Sequence, residues 1–241
     1  METPILNDLI DPDSECINNI CKNIIGAKIQ FQYTITLKDL KSESGIIENC
    51  NIVGDSMENI IFTYLKNKLP TFEKGPKQSS PDFWNRDRKY EWELKVFKNS
   101  TGFDISNYIS YINQLNKQDG VLKKLYKTQY LIFKYSIDGN NIIIQDFKKC
   151  FIWNLISYTG KYPISLQNKK GTWYNIRPCT FSKINKIKSS PSFLIVNILK
   201  SISECPNKIE NKENIIKNIQ LQFNELQLNH CINSLENLKI C

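Results

Sequence analysis

The sequence predicts a mixed α/β fold, and three observations carry that prediction. Segments with apolar residues at helical spacing alternate with segments of period two. The strongest apolar runs, at 130–133 and 142–144, are of strand length. A strand, a helix and a further strand follow one another in the middle of the chain, and such a crossover returns the chain to the same sheet.

The elements follow in order. Residues 13–25 carry Cys16, Ile17, Ile20, Cys21, Ile24 and Ile25 at helical spacing. Asp13 or Ser14 can cap that helix, and Gly26 suits the position just after it. Residues 28–37 alternate Ile29, Phe31, Tyr33, Ile35 and Leu37, a strand or extended arm, and 40–51 fit neither period. Asp55 or Ser56 opens a second amphipathic helix that ends at Pro70, and 71–80 read as a polar loop. Strands are expected near 82–84 and 89–98, around a turn at 85–88. After a turn at 99–102, Asp104 or Ser106 starts a helix to about Leu115, continuing past a break at Gly120 to Tyr126. YLIFKYSI and IIIQDF flank DGNN, a strong hairpin signal. Residues 151–158 add strand or helix, and 161–190 are irregular with strand-like pieces. Two helices, about 191–203 and 211–237, close the chain. With no linker or repeat, a single domain over 1–241 is expected, its core at about 50–150.

Composition removes several chemistries. A single His, His230, excludes a Ser-His-Asp triad, an HExxH zinc site and a multi-His cage. It reads as a solvated residue of a surface helix. The eight Cys are scattered with no CxxC pair, so buried free thiols in a reducing compartment are expected. No 18-residue apolar run exists, which rules out a membrane-spanning helix. METPILNDLIDPDSE lacks the basic and apolar regions of a signal peptide, so a cytoplasmic location is expected. The net charge of +8 is a weak sign of an anionic partner by itself. The chain has 29 Lys but only three Arg, with 36 Ile and 28 Asn, a bias toward A/T-rich codons.

The chemistry concentrates in PDFWNRDRKYEWELKVF, residues 81–97. In an extended strand Tyr90, Trp92, Leu94 and Val96 face one way, and Glu91, Glu93, Lys95 and Phe97 the other. Side chains at i and i+2 stand about 7 Å apart, so two carboxylates and an ammonium form a row. Asp82, across a short turn, can come alongside Glu93. A solvated strand face with cross-strand ion pairs is the ordinary alternative. The strands and helix that follow would bury this one, and a buried acidic cluster is costly unless it binds something. Hard oxygen donors without His suit Mg²⁺ rather than zinc.

Pro81-Asp82, ten residues, then Glu93-Leu94-Lys95 resembles the motif of the PD-(D/E)xK nucleases, and the chain resembles a type II restriction endonuclease of that superfamily over about residues 50–150. ELKVFKNSTGFDISNY and YPISLQNKKGTWYNIRP further resemble the NgoBV-type subgroup. The resemblance implies a restriction-endonuclease-like αβββαβ core, with helices on both faces and C-terminal helical additions. It implies that Asp82, Glu93 and the Leu94 backbone carbonyl bind Mg²⁺ and that Lys95 sits beside the attacking water. Cleavage would leave a 5′-phosphate and a 3′-hydroxyl, and the subgroup implies a GGNNCC-like site. Related nucleases often carry a helix-borne Glu that reaches the metal. Glu58 is the candidate here, against an ordinary first-turn Glu. Glu91 and Glu73 are weaker candidates.

The charge distribution points to the partner. Residues 161–190 hold Lys161, Lys169, Lys170, Arg177, Lys183, Lys186 and Lys188 and no acid. Double-stranded DNA is the expected partner, with Lys161, Gln167, Lys169, Lys170, Asn175, Arg177 and Lys183 as candidate contacts. Arg177 could instead be a structural Arg paired with a carboxylate. Two active sites on a palindromic target imply a homodimer, and a cognate methyltransferase is expected as a genetic partner. The alternatives are a repair, mobile-element or junction-resolving nuclease on the same core, and a non-catalytic basic nucleic-acid-binding protein.

Overall fold

The computed structural model describes residues 12–30, 32–35, 43–46, 50–76, 80–85, 90–98, 103–138, 141–159, 161–186 and 189–238, with the backbone alone at 12–14, 32–35, 43–46, 50–55, 97 and 229–238. The order is α1 (Pro12–Asn23), β1 (Lys28–Ile29), β2 (Gln32–Ile35), β3 (Glu43–Ile46), α2 (Cys50–Lys68), β4 (Phe72–Lys74), β5 (Phe83–Asn85), β6 (Glu91–Lys98), β7 (Ser106–Asn107) and α3 (Tyr108–Leu115). Then come α4 (Gly120–Leu122), a π-helical turn (Lys123–Lys127), β8 (Thr128–Asp138), β9 (Asn141–Phe151), β10 (Leu166–Lys169), β11 (Thr172–Ile176), α5 (Pro191–Glu204) and α6 (Lys212–Leu238). The fold is mixed α/β, as the sequence predicts. Among the described residues no helix is long and apolar enough to cross a membrane. Arg86, Arg88, Lys188, the turn at 99–102 and the side chain of His230 lie outside the described residues.

Three local expectations need correction. The alternation over 28–37 is not one strand. Lys28 and Ile29 pair with Ile143 and Ile142 of β9, whereas β2 pairs with β3 in a separate hairpin. Helix α2 starts at Cys50, earlier than Asp55. Gly54 costs about 1 kcal/mol of helix propensity, which burial of Met57, Ile61 and Leu65 outweighs. The loop at 71–80 contains β4, whose Phe72 is buried and drives the pairing with β5.

The chain forms two compact units of interleaved segments. One contains Asp11–Phe103 and Gln129–Lys149, and the other contains Asp104–Thr128 and Cys150–Cys241.

The first unit is built on a six-stranded sheet in the order β1-β9-β8-β6-β5-β4. β6 is an interior strand, and it carries the acidic row. The core draws Ile17 and Cys21 from α1, Met57, Ile61 and Leu65 from α2, and Phe72, Phe83, Trp92, Leu131, Phe133 and Ile144 from the strands. The Phe72 ring lies 5.2 Å from Phe83 and 5.5 Å from Trp92, an aromatic row across β4, β5 and β6. Trp92 also donates its indole N–H to the Gln129 Oε1 at 3.1 Å, so its one polar atom is satisfied inside the core.

The second unit holds a three-stranded sheet, β10-β11-β7, and helices α3, α5 and α6. Asn107 caps α3, accepting from the Ser110 N–H at 3.1 Å, in place of the expected Asp104 or Ser106. Tyr108 packs edge-on against Trp173, and its hydroxyl meets Ser201 Oγ at 3.0 Å.

Candidate active site

Asp82, Glu93 and Lys95 are positioned by the β5–β6 hairpin. Its register sets Phe83 opposite Trp92 and Trp84 opposite Glu91. The Tyr90 N–H donates to Asn85 Oδ1 at 3.2 Å, fixing the two ends of the connection. Asp82 immediately precedes β5, one step beyond the Phe83–Trp92 pair. The Leu94 N–H donates to Asp82 Oδ2 at 2.7 Å, which ties the Pro81-Asp82 half of the motif to the Glu93-Leu94-Lys95 half.

A further residue positions Asp82, and the sequence reading missed it. The Gly75 N–H donates to the Asp82 carbonyl at 2.6 Å. A Cβ at Gly75 would run into the Pro81 carbonyl oxygen. Only glycine lets the end of β4 approach so closely. Gly75→Ala should push the Pro81-Asp82 backbone away and cost about 1–3 kcal/mol. A melting curve and a cleavage assay check this. The expected outcome is a lower Tm together with at least about a tenfold loss of cleavage rate, since a 1 Å misplacement can cost 10²-fold.

The electrostatics of the cluster are unbalanced. Lys95 Nζ lies 3.6 Å from Glu93 Oε2, with the Glu93 side chain only 9% exposed. Burial, then the nearby Glu93 carboxylate, push the Asp82 carboxyl up from 3.8 to about 7. The Lys95 ammonium and the Leu94 N–H oppose that rise, and Glu58 adds to it. Half-buried Asp82 and buried Glu93 thus share the Lys95 ammonium.

Glu58, in α2, adds its charge to the cluster but pairs with a different ammonium. Its Oε1 pairs with Lys74 Nζ at 3.2 Å, and the same ammonium donates to Asn59 Oδ1 at 2.6 Å. Among the described residues no group of three His, Cys, Asp or Glu side chains converges as a ready metal cage.

The remaining candidate carboxylates of this unit lie on β4 and β6. Glu73 lies in β4, not in a loop, and accepts from the Trp84 indole N–H at 2.8 Å. Glu91 is buried on β6, two residues from Glu93 along the strand. Trp92 is fully buried, and Trp84 is only half-buried.

Within the basic segment of the second unit, the expected strand-like pieces pair as a hairpin, β10 with β11. Strands β10 and β11 are joined by Lys170 and Gly171, both with positive φ, the geometry of a tight hairpin turn. Asn168 Oδ1 accepts from the Gly171 N–H at 2.9 Å. Lys169 lies over the Tyr174 ring at 4.2 Å and Lys161 over Tyr162 at 5.4 Å. Lys170 and Lys183 are exposed, Lys183 in a short 3₁₀ turn. Arg177 Nε pairs with Asp104 Oδ1 at 3.0 Å. Asn175 donates to Asp104 Oδ2 at 2.8 Å and to Gln167 Oε1 at 3.4 Å. Asp104 appears in the sequence only as a possible helix cap, so nothing marked it as the partner of these three side chains.

The comparisons with known proteins converge. The sequence model of the NgoBV restriction endonuclease family matches residues 14–238. The type II restriction enzyme NlaIV of Neisseria lactamica is 32% identical over 181 residues, 71% of this chain and 70% of that protein. The solved structure of the NlaIV restriction endonuclease shares the fold, with a TM-score of 0.71 and 22% identity over 89% of each chain. The chain belongs to the NgoBV restriction endonuclease family, the type II restriction endonuclease group that its motifs resemble.

Proposed function

We propose that the chain hydrolyses phosphodiester bonds of double-stranded DNA at a specific sequence, in a Mg²⁺-dependent reaction that leaves 5′-phosphate ends. The observation that carries this reading is the 2.7 Å bond from the Leu94 N–H to Asp82 Oδ2, which joins the two halves of the motif. The residues present fit a small hard cation. Asp82 and Glu93 offer carboxylate oxygens, the Leu94 carbonyl a further one, and the raised Asp82 carboxyl marks a site short of positive charge. Glu58 is a further ligand once released from Lys74. A bound Mg²⁺ would lower the pKa of a water and neutralise charge on the scissile phosphate.

The protein's own groups do the rest. Lys95, beside Glu93, stabilises negative charge developing on the attacking water and on the phosphate. Interior placement of β6 holds these groups on a rigid support and limits water. Lys161, Lys169, Lys170 and Lys183 attract phosphates, while Gln167, Asn175 and Arg177 offer groups that read base edges. The enzyme acts as a homodimer in the cytoplasm, and a cognate methyltransferase protects the same sites.

Plasmid digestion tests the reading. With Mg²⁺, discrete fragments with 5′-phosphate ends are expected, and with EDTA none. Sequencing the ends should show one short recognised sequence, a GGNNCC-like site if the subgroup's preference holds. A smear, a single nick, or equal cutting in EDTA would refute the proposal.

A further inference from the structure

We propose that Asp104 is a positioning residue that assembles Gln167, Asn175 and Arg177 into one unit for reading the edge of a guanine-containing base pair; the inference rests on the nuclease reading above.

The four side chains form one set within the second unit, joined by one ion pair and two hydrogen bonds. Both oxygens of the Asp104 carboxylate are engaged, Oδ1 by Arg177 Nε at 3.0 Å and Oδ2 by Asn175 Nδ2 at 2.8 Å. Asn175 Nδ2 also reaches Gln167 Oε1 at 3.4 Å. The backbone fixes the set. The Ile105 N–H donates to the Ile176 carbonyl at 3.0 Å, and the Arg177 N–H to the Ser165 carbonyl at 2.9 Å. Asp104 is thereby anchored beside β11, and Arg177 is anchored just past that strand's end.

What the set leaves unused is the informative part. A carboxylate only accepts, so Asn175 must offer it the amide NH₂, which fixes the amide orientation. The Asn175 oxygen remains as an acceptor and the Gln167 NH₂ as a donor. Arg177 is held through Nε, and its two terminal nitrogens make no hydrogen bond among the described residues. Those two nitrogens form the edge that donates in parallel to guanine O6 and N7, while an amide oxygen can accept from cytosine N4.

A purely structural role suits the ion pair poorly. The Arg177 and Asp104 side chains are 31% and 45% exposed, where such pairs add little stability. An acid beside a segment of +7 charge and no acids also weakens attraction to phosphates. Its benefit is orientation: a guanidinium held in place before binding loses less freedom on binding.

The test uses the full chain with Asp104→Asn and Asp104→Ala. Cleavage is measured on duplexes carrying the recognised sequence, taken from fragment ends, and each of its single base-pair changes. The loss should fall on KM more than on kcat, and discrimination should drop about tenfold at one base-pair position of the half-site only. Arg177→Lys, whose single ammonium cannot make the parallel pair, should relax the same position. Placing 7-deazaguanine there should impair the parent chain far more than Asp104→Ala. Unchanged discrimination, or relaxation at a different position in Arg177→Lys, overturns the proposal. So does a uniform loss over all sequences with a reduced salt dependence, which would mark a phosphate clamp. A parent chain that cuts no duplex overturns the nuclease reading itself, and this inference with it.

Discussion

Replacing Lys95 with Ala is expected to abolish DNA cleavage while leaving DNA binding near that of the parent chain. The Lys95 ammonium lies 3.6 Å from Glu93 Oε2 and also opposes the rise of the Asp82 carboxyl. Removing a single preorganised group that stabilises transition-state charge costs about 10²–10³ in rate. The effect here should lie at or above the top of that range, because the variant also leaves buried Glu93 and half-buried Asp82 without this counter-charge. Single-turnover cleavage alongside a gel-shift titration makes the measurement, and Lys95→Met, of similar bulk, separates charge from packing. Normal cutting by both variants would refute the site assignment.

Asp82→Asn should also eliminate cleavage, yet make the protein more stable. The folded chain holds the Asp82 proton up to about pH 7, whereas the unfolded chain releases it near pH 3.8. The favourable contribution of this group is therefore whole below about pH 3.8, declines as pH rises to about 7, and stays lost above it. At pH 8 the ionised, half-buried carboxylate opposes folding, and Asn removes that opposition while retaining an oxygen for the Leu94 N–H. The full span corresponds to about 4 kcal/mol, an upper bound for a side chain that is not fully buried. A gain of about 1–2 kcal/mol, several degrees in Tm, is expected at pH 8 without divalent ions. At pH 4 the two proteins should melt nearly together. Millimolar Mg²⁺ should raise the Tm of the parent only, by the linkage of binding to folding. Equal melting of the two at every pH would count against the strained carboxylate.

The proposed catalytic motif was legible because it is local. Its spacing, the period-two run on β6 and the turn before it all lie within sixteen residues, and strand alternation alone places Glu93 and Lys95 on one face. Helix α2 was legible from Met57 onward, where apolar spacing is strict, and illegible at 50–54, where Ile, Val and Gly give no helical signal. Three features depend on segments distant in sequence and so left no pattern. β4 has one apolar residue, Phe72, too few to show a period. The close approach of Gly75 to Pro81 is a fact of backbone packing. The Lys74–Glu58 pair forms only once β4 lies along α2. The set around Asp104 joins residues more than 60 positions apart, beyond the reach of any motif.

The strand order β1-β9-β8-β6-β5-β4 also dictates a sequence of events during synthesis. Every residue of the proposed catalytic set has been made once the chain reaches Lys95. Until β8 emerges, more than thirty residues later, β6 has no neighbour on one side and the acidic row sits on an open edge. β1, made before any other strand, waits for β9 as its partner. A chain interrupted between Lys95 and β8 therefore carries the proposed catalytic groups without the sheet that holds them in place, so the ability to cut arrives late in the making of the molecule.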